Sequence, residues 1–201
     1  ALSQCNQTMA HCTSEEELFP EICRIAVELG GAKMAWVGIT DTTGSVRPVA
    51  SWGDTHGYLQ DIKISVEEDT PFGRGPVGRA IREDQPVWLQ DLLHDPIIAP
   101  WRKGIALSDW ATSTALPLRV GCKVIGVFNV YSDKVTFFDE PARNLLSQLA
   151  MDISFALDGF TRESHRKRAE EALRTREEEF HTLAEVVPQI VWITRPDGKN
   201  I

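Results

Sequence analysis

From Ser14 onward, stretches whose apolar residues recur every three or four positions alternate with stretches whose apolar residues recur every two, and glycine or proline marks the breaks. Ser14 is a capping residue with Glu17 three positions on, and Leu18, Ile22, Ile25, Ala26 and Leu29 follow at helical spacing until Gly30 and Gly31. Two β-favouring runs, Ala35–Thr40 and Val46–Trp52, flank the polar turn Asp41–Ser45 and predict a hairpin. A third extended run, Asp61–Ser65, leads to Gly73, Gly75 and Gly78, a tight loop into a short helix that ends about Glu83. Pro86–Asp91 reads as a short strand. Leu92–Ala111 is polar, proline-bounded and irregular, with one short helix around Trp101–Leu107, and is the candidate lid. Thr112–Val120 and Lys123–Ser132, joined by Gly121 and Cys122, form the clearest hairpin and should be central strands. Pro141 then opens a helix carrying Leu145, Leu146, Leu149, Ile153, Ala156, Leu157 and Phe160.

Alternate strand residues face opposite sides. Ile125, Val127, Asn129 and Tyr131 fall on one side of the last strand, and Val124, Gly126, Phe128 and Val130 on the other. Both sides are largely apolar, so both need a cover. The first and last helices should supply one, and the lid from Leu92 to Thr112 the other.

Past Phe160 the helical signal continues without Gly or Pro through a run rich in Glu, Arg, Lys and Ala. Phe160, Leu173, Phe180 and Val187 fall at multiples or near-multiples of seven among mixed charges. A lone solvated helix is one reading. A parallel two-stranded coiled coil is preferred, because so polar a helix needs a partner. Pro188 ends it, and Gln189–Thr194 reads as a strand before a Pro-Asp-Gly turn.

Composition narrows the function classes. Of 201 residues, 42% are hydrophobic and 25% charged, the balance of an ordinary globular chain. A net charge of -8 argues against nucleic acid as a partner, since phosphate binding needs clustered Lys and Arg. No run approaches the ~20 apolar residues of a membrane span, and the first residues lack the blocks of a signal peptide. A cytoplasmic location is expected, with no membrane partner in this segment. Cys5, Cys12, Cys23 and Cys122 form no C-x-x-C pair, so reduced thiols are expected rather than a zinc or thioredoxin-type site. The first residue is not Met and the end falls inside an element, so the chain reads as an excised piece of a longer protein.

Five segments in this order resemble the GAF domain family: Gly73–Glu83 (GRGPVGRAIRE), Pro86–Pro100, Ala115–Leu118 (ALPL), Val124–Tyr131 (VIGVFNVY) and Phe138–Leu146. The resemblance implies an α+β fold, an antiparallel sheet of five or six strands with helices on both faces and a long C-terminal helix. The tail from Phe180 looks like the opening of a PAS domain. The series resembles the input half of bacterial sensor histidine kinases and cyclic-dinucleotide enzymes. The organisation expected is a tail over 1–13, a sensory domain over 14–160, a coiled-coil-like linker over 161–186 and the start of a PAS domain over 187–201.

Six tryptophans are many for this length, and Trp88, Trp101 and Trp110 lie in or beside the lid. An aromatic cavity between lid and sheet would take a flat or apolar small molecule, oriented by Thr112, Ser113, Thr114, Asn129 or Tyr131. The plainer reading is that these rings fill the core. Gly73, Gly75 and Gly78 read as a structural turn, because no Lys-Ser/Thr pair follows for a phosphate cradle. The cyclic-nucleotide signature of the family is altered in Asp133, Lys134, Phe138, Asp139 and Glu140. The lid holds no cysteine for a bilin. No cofactor is predicted, with haem left open because His94 has the residue type of a ligand, although a solvated or capping role is the ordinary outcome for it. Free methionine sulfoxide reductases of the family carry G-V-C-G where this chain has Gly75-Pro76-Val77-Gly78, so Val77 stands where the thiol would be. The expected function is a non-catalytic sensory input domain, a homodimer through its terminal helices. It would bind an unknown small molecule and act on downstream PAS and output domains. The alternative is a dimerisation or spacer module without a small ligand.

Overall fold

The computed structural model describes Met9 and residues 11–53, 56–60 and 62–186. Helix α1, Glu15–Glu28, begins where Ser14 Oγ accepts from the Glu17 N–H at 3.3 Å. The reciprocal arm of the capping box lands one residue early: the Glu17 carboxylate accepts from the Thr13 N–H at 2.8 Å. Strands β1 (Met34–Thr40) and β2 (Val46–Gly53) form the first hairpin. In its turn Asp41 Oδ1 accepts from the N–H groups of Thr43 and Ser45. Helix α2 is Pro76–Glu83, with Pro in its first turn, and β3 is Val87–Leu89. A 3-10 turn, Pro96–Trp101, runs into the one-turn helix α3, Arg102–Ile105. Strands β4 (Thr112–Val120) and β5 (Lys123–Ser132) form the second hairpin, and α4 spans Glu140–Val186.

The five strands lie in the order β2-β1-β5-β4-β3, every neighbouring pair antiparallel. The extended run expected over Asp61–Ser65 adds no sixth strand. It touches the sheet through a single bridge between Ser45 and Ser65. Asp61 lies outside the described residues, as do Cys5 and the expected PAS opening over 187–201.

Strand alternation divides the core in two. On one face Ala35, Val37, Leu116, Leu118, Phe128 and Val130 meet α1 and the first part of α4, through Leu18, Ile22, Leu149, Ile153 and Leu157. Full burial of a side chain such as Phe128 stabilises by about 1.5–3 kcal/mol before any cavity term. On the other face Met34, Trp36, Ala115, Val127 and Tyr131 meet α2 and the lid. At one end of the strands α4 grips the β4–β5 turn: Ser154 Oγ accepts from the Arg119 N–H at 3.0 Å, and the Asp158 carboxylate accepts from the Gly121 N–H.

The chain divides into two compact units, Ala1–Phe160 and Thr161–Ile201. In the second, Leu173 and Phe180 are exposed, and Arg166 pairs along the helix with Glu163 and Glu170. No helix among the described residues is long and apolar enough to cross a membrane.

Candidate functional site

The lid is stapled at its neck and packs Ile98, Trp101 and Ile105 into the core of this face along its length. The Leu92 N–H donates to Ala111 O and the Ala111 N–H to Ser132 O, each at 2.8 Å, so both ends of the segment are tied to the end of β5. Between them Asp95 caps the 3-10 turn by accepting from the Ile97 N–H, and Pro96 and Pro100 keep the chain out of longer helix. Trp101 points inward, and its indole N–H donates to Lys63 O at 2.9 Å, across 38 residues of sequence. Its ring lies over Gly75, where a Cβ would come within 2.3 Å of it. A glycine at 75 is therefore what lets the Trp101 ring seat there.

Under the ring is a small cavity. Ile64, Val77, Leu92, Ile98 and Ile105 make its apolar wall, and Tyr58, Ser113 and Tyr131 bring hydroxyl groups. About 20 Å³ is free between them, room for about one water molecule. A wider cleft of about 290 Å³ lies outside, bounded by His56, Lys63, Phe72 and Leu107, and it shares Tyr58 and Trp101 with the inner cavity. These two rings are the partition. Trp110 packs against Tyr58 and Tyr131, 4.7 Å from the Tyr131 ring and edge-on to Tyr58 at 5.4 Å. Burial pushes both phenols up from their ordinary value; at Tyr131 this is opposed by the Tyr58 and Trp36 side chains, which favour a charged oxygen there. The indole N–H of Trp36 is fully buried and faces Tyr131 without completing a hydrogen bond.

A sheet in this strand order, covered by terminal helices on one face and by a short-helix lid over a small cavity on the other, has a counterpart among known families. The family model described as GAF domain matches residues 12–158. The chain belongs to the GAF domain family. Its fold is shared with free methionine-R-sulfoxide reductase from Neisseria meningitidis in complex with its substrate, at 21% identity and a TM-score of 0.66 over 81% of this chain and 89% of that one. It is similar also to the GAF domain of an Acinetobacter phosphoenolpyruvate-protein phosphotransferase, at 15% identity and a TM-score of 0.63 over 82% and 94% of the two chains. The GAF domain of A. aeolicus nlh2 in an inactive state gives 18% and 0.60 over 81% and 94%. No curated protein matches the sequence.

Within this GAF domain the residues expected at the site divide between the two faces of the sheet. Trp101 and Tyr131 line the cavity, and Trp110 packs against Tyr131. Asn129 lies on the lid face but outside the lining, buried, with its Nδ2 lacking a hydrogen-bond partner. Trp88, Thr112 and Thr114 are corrections, because period two turns them to the helix face. Trp88 is registered with Thr114 and packs against Phe138 and under the Arg143 guanidinium. The hydroxyls of Thr112 and Thr114 donate to the backbone oxygens of Lys134 and Val87. Ser113, between them, is the β4 residue that faces the cavity, and the register places it opposite Tyr131. Tyr58 was not expected at all: it belongs to a turn without periodicity, which carries no signal for where its ring will go.

The other chemistry weighed from sequence lies elsewhere. His94 is exposed and paired with Asp91 at 2.8 Å, which holds the Asp91 carboxyl below its usual range, so its position does not fit a haem ligand in the cavity. Among the described residues no group of three His, Cys, Asp or Glu could hold a metal ion. Cys23 is buried in the helix-side core with its thiol pushed up to about 12 by desolvation, and Cys122 is exposed at the β4–β5 turn. Val77 is part of the cavity wall.

Proposed function

We propose that this GAF domain is a non-catalytic sensory or regulatory input domain, acting in the cytoplasm, that binds a small molecule in the cavity beneath Trp101. The observation that carries the reading is the cavity itself, lined by three hydroxyl-bearing residues among apolar walls under a segment of short helices and loops. Its small free volume makes the lid the moving part, since a ligand must displace Tyr58 or Trp101 to fit. Ser113 and Tyr131 belong to β4 and β5, and the turn joining those strands is held by Ser154 and Asp158 of α4. A ligand that prefers the open lid would shift this clamp, and α4 would carry the shift in a dimer to a PAS domain and an output domain of histidine-kinase or cyclic-dinucleotide type. Only differential affinity for the two arrangements can do this.

Catalysis of the reductase kind is disfavoured by the wall. An isopropyl group, Val77, stands at the position matched to that family's thiol, and Cys23 is a protonated core residue on the opposite face. A second reading, a dimerisation or spacer module filled by its own side chains, is favoured by the 20 Å³ of free space.

Native mass spectrometry of the protein as purified separates the two. A dimer with a defined extra mass supports the sensor, a bare dimer with no response to added ligands supports the spacer, and a bare monomer removes the dimeric relay. Reductase activity toward free methionine sulfoxide would overturn both.

A further inference from the structure

We propose that Arg119 is the residue through which the cavity wall reaches α4: it ties the far end of α2, whose first turn forms part of that wall, to the clamp that α4 holds on the β4–β5 turn. Its meaning as a signal route rests on the sensory reading above.

Helix α2 spans the distance. Pro76 and Val77, in its first turn, line the cavity, so a molecule lodged beneath Trp101 presses on them as well as on the lid. The eight residues of the helix run about 12 Å, at the usual rise per residue, to Glu83. Val77 and Ala80 are buried in the core of the lid face, and the Arg82 guanidinium donates to Val66 O at 3.1 Å and to Gly73 O, so it is side chains that hold the helix in place. A short rigid element held in this way carries a displacement of its first turn to its last.

The last turn meets Arg119. Asp84, just past the helix, is left-handed at φ 53° and ψ 40°, a conformation that residues other than glycine keep only where the surroundings hold them. The Arg119 guanidinium grips it twice: Nη2 pairs with the Asp84 carboxylate at 2.7 Å and donates to Asp84 O at 3.2 Å. Both side chains are part-exposed, so the pair adds little stability and its use is positional.

Arg119 also joins the two faces of the sheet. Its side chain reaches α2 on the lid side, while its backbone N–H donates to Ser154 Oγ of α4 at 3.0 Å. The pairing of β4 with β5 slips between Leu118 and Arg119, the kind of irregularity that re-aims a residue. Ser154 donates in turn to Ala150 O at 2.8 Å, and close by the Gly121 N–H meets the Asp158 carboxylate. Strand β4 also runs from Ser113 to Arg119, but it is paired to β3 on one side and β5 on the other, and it cannot slide without breaking both ladders.

The test is amide exchange by NMR on the whole chain, with the wall disturbed by Val77→Ala rather than by a ligand. Exchange of the Arg119 and Gly121 amides should speed by roughly two- to tenfold. The amides of Gly30 and Gly31, which bond to Ile25 O and Val27 O at the end of α1, lie off the route and should not follow. Arg119→Met keeps the stem and removes the guanidinium; in that background Val77→Ala should no longer change exchange at positions 119 and 121. Asp84→Gly suits the left-handed backbone and breaks the same grip from the other side, which keeps the test open should the Arg119 variant fold poorly. An acceleration that is absent, that is equal with and without the guanidinium, or that Gly30 and Gly31 share would overturn the route. Because no ligand is added, such a result removes the route alone, and the binding reading still stands or falls on native mass spectrometry.

Discussion

The two faces of the sheet are built from the same strands and differ in almost everything else. The helix face is closed by α1 and α4, long regular elements whose apolar stripes interlock with Leu116, Leu118 and Phe128, and its threonine hydroxyls are spent on backbone oxygens. The lid face is closed by two short helices, a 3-10 turn and loops, and it contains the fully buried donors Trp36 Nε1 and Asn129 Nδ2, neither with a completed hydrogen bond. Unpaired buried donors cost stability unless something occasional satisfies them. The helix face is thus the more fully satisfied of the two, and on the reading proposed here the lid face is the one that adapts.

The largest effect expected from breaking this division is in the core. Phe128→Ala on the helix face should cost about 3–5 kcal/mol in urea denaturation, whereas Ile105→Ala under the lid should fall near 2 kcal/mol because the short segment can collapse around it. Equal costs would mean that the lid is as rigid as the helices. Alkaline pH gives the next test. Cys23 on the helix face has its thiol raised from 9.0 to about 12, so the unfolded chain loses that proton first and stability falls as pH rises through that window, by up to a few kcal/mol. Tyr131 on the lid face, raised above 10.0, has the same sign and a later onset. Cys23→Ala should delay the alkaline loss in thermal melts; an unchanged onset would place it elsewhere.

Smaller changes sharpen the picture. Gly75→Ala puts a methyl against the Trp101 ring and should cost about 1–3 kcal/mol while red-shifting tryptophan emission as the ring leaves its seat. Ser154→Ala removes the acceptor for the Arg119 N–H, with a loss of about 1 kcal/mol and faster amide exchange at the β4–β5 turn, which would loosen the clamp without touching the cavity. Least of all for stability, Leu173→Glu with Phe180→Glu alters exposed positions and should change it by less than about 0.5 kcal/mol, yet lower the solution mass from dimer to monomer if the seam is real. A mass unaffected by the double change would count against the coiled coil.

Much of the architecture was legible because it is local. Alternation marks β4 and β5, the Asp41–Ser45 run has turn chemistry, and Ser14 with Glu17 marks a helix start; each signal involves neighbours within a few residues. The described part of the 61–65 run joins the sheet only by the Ser45–Ser65 bridge, with the Val46 N–H donating to Ile64 O, because an extended conformation is local whereas a strand needs an edge in register along its length. The site was legible by half. The odd positions of β5 pointed to Tyr131, but on β4 threonine and serine are equally polar, and pairing register alone decides that Ser113 faces the lid while Thr112 and Thr114 face the helices.

By itself, then, the sequence determined the elements, their order, the apolar character of both sheet faces and the aromatic richness of the lid, because propensity and periodicity act over one or two turns of chain. Only the tertiary structure decided which side chains share a cavity. Tyr58, Ser113 and Tyr131 converge across more than 70 residues, and Trp101 reaches Lys63 across 38. Such meetings follow from strand register and from a loop folding back on the sheet, and no local preference encodes them.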